Sequence, residues 1–137
     1  MDSINFNDTI FKQSKTYQDF IKANEANGLL TIRAYAANKA LPIEGMRVIV
    51  YKIIDNKRII FYDGKTDNSG LIENINLPTP IISNDDLVVP PSEDYDIEAM
   101  YDNQDLIFKI KMYSNISVNQ NINVVPLLRL DGSSYGY

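Results

Sequence analysis

Two successive stretches alternate so regularly that they decide what this chain can fold into. In the first, Tyr95, Ile97, Ala99 and Tyr101 alternate with Asp96, Glu98, Met100 and Asp102. In the second, Leu106, Phe108, Ile110 and Met112 alternate with Ile107, Lys109, Lys111 and Tyr113. A period of two places each set on its own face of a strand, and an apolar face backed by a polar one belongs to an antiparallel sheet with one side in water. Five more segments read the same way: 29–36, with Leu30, Ile32 and Ala34 on one face; 46–53, with Val48 and Val50 inward; 58–62; 71–77; and 122–128. Seven strands separated by turn signals predict an all-β, seven-stranded antiparallel sandwich.

The connections agree. Asp55-Asn56-Lys57 and Thr66-Asp67-Asn68-Ser69-Gly70 are turns, the second requiring positive φ at Gly70. Residues 78–92 hold four prolines and form the longest loop. Pro126 makes the last strand an edge or marks a bulge in it. A short helix is predicted over 16–24, with Thr16 capping it, Asp19 completing a capping box, and Tyr17, Phe20 and Ile21 on one face. Asn27-Gly28 ends this segment. The expected organisation is an N-terminal arm over 1–15, the helix segment over 16–27, the sandwich over 28–130 and a flexible tail over 131–137. A chain of 137 residues that is 45% apolar suits one self-sufficient domain.

The absence of His and Cys removes much chemistry: no disulfide, thiolate nucleophile, imidazole base or zinc–thiolate cluster can form. The net charge of −5 is unevenly spread. Between Thr66 and Phe108 there are ten acidic residues and no Lys or Arg, while the rest carries all thirteen bases and eight acids. Such asymmetry permits head-to-tail attraction between copies; its plainer meaning is an acidic solvated face. No basic patch is dense enough for nucleic acid. The first residues lack the basic start and apolar core of a secretory signal, and no apolar run approaches the roughly 20 residues that span a bilayer. A chain made in the cytosol, with no membrane contact, is expected.

The stretch Ala40-Leu41-Pro42-Ile43-Glu44-Gly45-Met46-Arg47-Val48-Ile49-Val50 resembles the opening of carboxypeptidase-regulatory-like domains, small transthyretin-like or Ig-like β-sandwiches. Thr66-Asp67-Asn68-Ser69-Gly70-Leu71 and Tyr95-Asp96-Ile97 resemble their second and third hallmarks. The version in clostridial spore proteins, including the front part of cortex-lytic enzymes, is similar in more detail. There too a Tyr-x-x-Phe helix precedes the sandwich, as in Tyr17-Gln18-Asp19-Phe20; a proline-rich loop follows the fourth strand, as in Leu77-Pro78-Thr79-Pro80; and a Pro-Leu such as Pro126-Leu127 ends the last strand. Asp102-Asn103-Gln104-Asp105 departs from the usual Pro-Gly-Tyr. The resemblance implies an accessory β-sandwich on the spore or cell surface and no cofactor. Some transthyretin-like proteins are hydroxyisourate hydrolases, whose site needs histidines, an arginine and a C-terminal Tyr-Arg-Gly-Ser. This chain ends Ser134-Tyr135-Gly136-Tyr137 and has no His, which excludes that activity.

Remaining candidates are few. Asp85, Asp86, Asp94 and Asp96 offer oxygens of the kind that bind Ca²⁺, but no EF-hand spacing links them, and no metal is assigned. Nothing fixes two carboxylates at a hydrolytic separation. A Lys–Asn isopeptide bond needs an inward Lys on the first strand, which carries Arg33, outward by alternation. Nine tyrosines could form a sugar-stacking platform, although Tyr95 and Tyr101 fall on the apolar side of their strand. Ile4, Phe6, Ile10 and Phe11 make the arm too apolar for a free tail; they either cover the sandwich's own edge or add to a neighbouring copy. The expectation is therefore not an enzyme but a structural subunit that binds copies of itself or other structural proteins. The alternative is a carbohydrate- or peptidoglycan-binding module.

Overall fold

The computed structural model describes residues 14–36, 40–83 and 89–124. Helix α1 (Lys15–Ala23) is followed by β1 (Ala26–Ala36), β2 (Leu41–Pro42), β3 (Arg47–Ile54), β4 (Lys57–Lys65), β5 (Leu71–Thr79), β6 (Glu93–Tyr101), β7 (Gln104–Met112) and β8 (Ser117–Val124). The first sheet has β1 at its centre, with β5 and the short β2 along one edge and β8 along the other. The second runs β4-β3-β6-β7. The all-β sandwich stands as expected.

Three details correct the sequence reading. Eight strands occur among the described residues rather than seven, because the two-residue β2 pairs Leu41 with Ala36 and Pro42 with Tyr35. The sandwich is not wholly antiparallel: β8 lies parallel to β1 from Leu29↔Ser117 to Ala36↔Val124. And β8 starts five residues before the predicted 122. Ser117, Asn119, Asn121 and Asn123 are loop formers by composition, yet β1 offers them a ladder of backbone partners, while Val118, Ile122 and Val124 turn inward.

The helix also differs at its ends. Ser14, not Thr16, is the N-cap, its Oγ accepting from the Tyr17 amide at 3.3 Å, and Asp19 pairs with Lys15 instead of closing a capping box. The helix stops at Asn24, whose Nδ2 donates to the Phe20 carbonyl. Asn27 and Gly28 belong to β1, facing Pro78 and Leu77. Gly28 serves close approach there, since a Cβ would lie 2.5 Å from the Tyr113 carbonyl oxygen.

The inward sets hold. Leu30, Ile32, Ala34, Val48, Val50 and Ile97 are fully buried between the sheets, with Ala99, Ile110, Met112 and Ile122 beside them. Phe108 is only half-buried because β7 is an edge, and Tyr101 is exposed at the end of its strand. A second cluster, Ile54 and Ile59 with Tyr17, Phe20 and Phe61, lets α1 close one end. The β3–β4 and β6–β7 connections are two-residue turns with both residues left-handed, Asp55 and Asn56 in one, Asp102 and Asn103 in the other. That is the type I′ hairpin matching strand twist, which Asp and Asn enter readily because both tolerate the left-handed conformation. Gly70 has the expected positive φ, +77°. No helix among the described residues is long and apolar enough to cross a membrane.

Candidate functional site

The second sheet's outer face disposes of most sequence candidates. Lys109 donates to Asp96 at 2.9 Å and Lys111 to Asp94 at 3.1 Å, both pairs lying directly across β6 and β7. Arg58 reaches Glu98 at 2.5 Å and stacks 4.2 Å from the Tyr51 ring centre. Arg47 grips Asp63 with two bonds of 3.0 and 2.8 Å. The acid-rich segment and the basic remainder are thus joined within one chain. Asp94 and Asp96 face lysines, Asp85 and Asp86 lie outside the described residues, and no group of three acidic side chains able to hold a metal occurs among the described residues. Ile4, Phe6, Ile10 and Phe11 also lie outside the described residues.

The Arg47 hydrogen bond holds the Asp63 carboxyl below the usual carboxylate range, and burial opposes it. Stability from this pair is therefore complete above about pH 4, where unfolded aspartate is ionised, and is lost as pH falls through the lowered folded value. Urea melts at pH 7 and pH 3 should show a larger acid loss for the wild type than for Asp63→Asn. Equal losses would mean the pair contributes nothing.

Beneath α1, Lys52 is enclosed. Its ammonium bonds Glu93 at 2.6 Å and the Asp94 carbonyl, and lies 5.0 Å from the Tyr95 ring centre and 5.7 Å from that of Phe20. Tyr95 donates its hydroxyl to the Pro78 carbonyl at 2.5 Å, and burial first, then Glu93 and Tyr17, keep its phenol protonated far above the usual range. These contacts tie β3, β6, β5 and the helix together; each polar group faces a partner, and none faces an open cleft.

The open site is on the other sheet. A groove of about 400 Å³ crosses the outer face of β5, β1 and β8, lined by Thr31, Arg33, Leu71, Glu73, Asn119 and Asn121. Alternation on β1 turns Thr31 and Arg33 outward between buried Leu30, Ile32 and Ala34, and the parallel register sets Asn119 beside Thr31 and Asn121 beside Arg33. On β5 the pairing slips between Leu30↔Ile75 and Ile32↔Ile72, so Glu73 and Asn74 together oppose Thr31. This is a β-bulge, with Asn74 left-handed at φ 58° and its amide donating to Thr31 Oγ1 at 3.3 Å. The bulge exposes two consecutive residues and places Glu73 in the groove. No aromatic side chain lines it, so the expected tyrosine platform is not what this groove offers. Sequence reading found Arg33 outward but missed Glu73 and the asparagines. The one available signal was Asn at every second position of 119–123.

No family model matches the sequence, and no curated protein matches it. Among solved structures, it is similar to 5-hydroxyisourate hydrolase from Klebsiella pneumoniae, at 12% identity and TM-score 0.46, over 70% of this chain and 90% of that one. It is also similar to (S)-allantoin synthase, at 13% identity and TM-score 0.46, over 72% of this chain and 41% of that one. The likeness is one of fold at low identity. Against the expectation that the chain is not an enzyme, both similar structures carry enzyme names. Missing His and Cys exclude particular chemistries rather than catalysis on this scaffold.

Proposed function

We propose that this chain is a structural β-sandwich subunit that acts through protein–protein contacts and pairs with copies of itself, within a spore-associated or extracellular structure. The observation that carries this reading is the β7 edge. Its two-residue turn makes Tyr101 and Gln104 a hydrogen-bonded pair, so by alternation the N–H and C=O groups of Asp105, Ile107, Lys109 and Lys111 point away from β6. Among the described residues no strand takes them up. The edge strands β4 and β5 are bulged in their ladders, which hinders pairing, whereas β7, like the parallel edge strand β8, runs without a register shift. Ile107 is 65% exposed on this edge.

The edge is also self-complementary. Antiparallel pairing of two β7 strands about Phe108 sets Asp105 opposite Lys111, Ile107 opposite Lys109, Leu106 opposite Ile110 and Phe108 opposite itself. All nine residues pair, through the groups that point outward. The two lysines would ordinarily guard an edge, but Asp96 and Asp94 already offset their charge. The contact is isologous and closes as a dimer. Light scattering of the full chain should give twice the chain mass, and Ile107→Pro should give a folded monomer, because proline removes one outward N–H and no ladder bond. A wild-type monomer at high concentration, or a dimer that survives the proline, would sink the reading.

A second reading, a carbohydrate- or peptidoglycan-binding module, is supported by the groove on the first sheet.

A further inference from the structure

We infer that the groove on the outer face of β5, β1 and β8 binds a short peptide segment carrying both a free carboxylate and a free ammonium. This inference goes beyond self-pairing and sharpens the second reading, on which it rests. Four observations support it.

The first is charge left open. Arg33 and Glu73 stand on one face as diagonal neighbours on adjacent strands, a separation of about 7–8 Å between backbones. Neither closes an ion pair with another described residue. On the second sheet, by contrast, Arg47, Arg58, Lys52, Lys109 and Lys111 each hold a carboxylate within 3.1 Å. A guanidinium and a carboxylate kept apart in a shared groove suit a ligand that brings the complementary charges, its carboxylate to Arg33 and its ammonium to Glu73.

The second is the bulge. It places Glu73 in the groove at the cost of a left-handed Asn74, a conformation that Thr31 holds by accepting its amide. Without it, Glu73 and Asn74 would alternate between the faces, and one of them would enter the core.

The third is the pair of carboxamides. Asn119 and Asn121 are two residues apart on β8, so they recur at about 6.5–7 Å, the spacing at which equivalent peptide groups recur along an extended chain. Each carboxamide both donates and accepts, matching a peptide group edge to edge.

The fourth is the lining. Its volume falls within the range of small-ligand sites, and Leu71 is its one aliphatic side chain. With no aromatic face for a sugar ring to stack on, the groove suits the peptide portion of a cell-wall fragment better than its glycan.

The experiment is isothermal titration of the full chain with four probes: the disaccharide–tetrapeptide fragment of peptidoglycan, the same fragment with its carboxylates amidated, the fragment with its amine acetylated, and a peptide-free glycan oligomer. The fragment should bind saturably, and amidation should weaken it roughly tenfold, about the effect of losing one charge-assisted hydrogen bond. Arg33→Gln should bind the unmodified fragment at the amidated level and show no further loss on amidation. Glu73→Gln should likewise lose sensitivity to acetylation of the fragment's amine. Both side chains point to solvent, so both variants should keep the wild-type melting curve. The inference is overturned by equal wild-type binding of acid and amide, by discrimination that persists in Arg33→Gln, or by no saturable binding at millimolar fragment. Glycan that binds as tightly as the fragment would overturn the peptide assignment while leaving the carbohydrate reading intact.

Discussion

Gly70→Val should lower stability by about 3 kcal/mol or more, the sum of two independent costs. A β-branched residue held at φ +77° is strained by roughly 1–3 kcal/mol, and steric overlap adds a similar amount. The overlap is specific: a Cβ here would lie 2.3 Å from the Ala34 carbonyl oxygen and 3.2 Å from the Ile43 amide nitrogen. Both atoms are backbone and cannot rotate away. The Ala34 carbonyl also accepts from Ile43, and the Ala34 amide donates to the Gly70 carbonyl, so displacing the turn opens the junction between β1, β2 and β5. Gly45 supplies the control. Its φ is +82°, yet a Cβ there meets nothing within 4 Å, so Gly45→Ala should cost only the conformational part, about 1–2 kcal/mol. Urea melts that rank the two substitutions equally would mean the steric contact at Gly70 is easily relieved.

The second large effect concerns Lys52. Glu93→Ala should cost about 3 kcal/mol, the low end for breaking a buried pair from one side, because the stranded ammonium keeps the Asp94 carbonyl and two ring faces. The side chains are 14% and 23% exposed, so water can reach little of the charge left behind. Replacing both partners, Lys52→Met with Glu93→Leu, should instead be close to neutral: apolar side chains fill the same channel between Phe20 and Tyr95 and leave no charge without a counter-ion. Opposite outcomes from the single and the double variant identify desolvation as the controlling term. If the double variant costs as much as Glu93→Ala, the bond itself stabilises the helix-capped end.

The sandwich was legible because alternation is a local property. Val48, Val50, Ile97 and Ile110 declare their faces within their own strands, and the left-handed Gly70 follows from the turn around it. Where neighbours in space decide, the sequence was silent or misleading. Ser117 to Asn121 resembles a loop until β1 supplies parallel backbone partners from the far end of the chain. Asn27-Gly28 resembles a helix stop until β5 draws it into a ladder. The acidic run from Thr66 to Phe108 resembles a single-signed surface until hairpin register sets Asp94 and Asp96 against Lys111 and Lys109.

The sequence by itself determined the class of fold, its inward residues and the chemistry that His and Cys would have carried. Tertiary structure alone decided the groove, because its six residues come from three strands. Its polarity depends on a bulge that no periodicity announces: one extra residue in β5 leaves Glu73 beside Arg33 on the open face, where unbroken alternation would have sent a neighbour into the core.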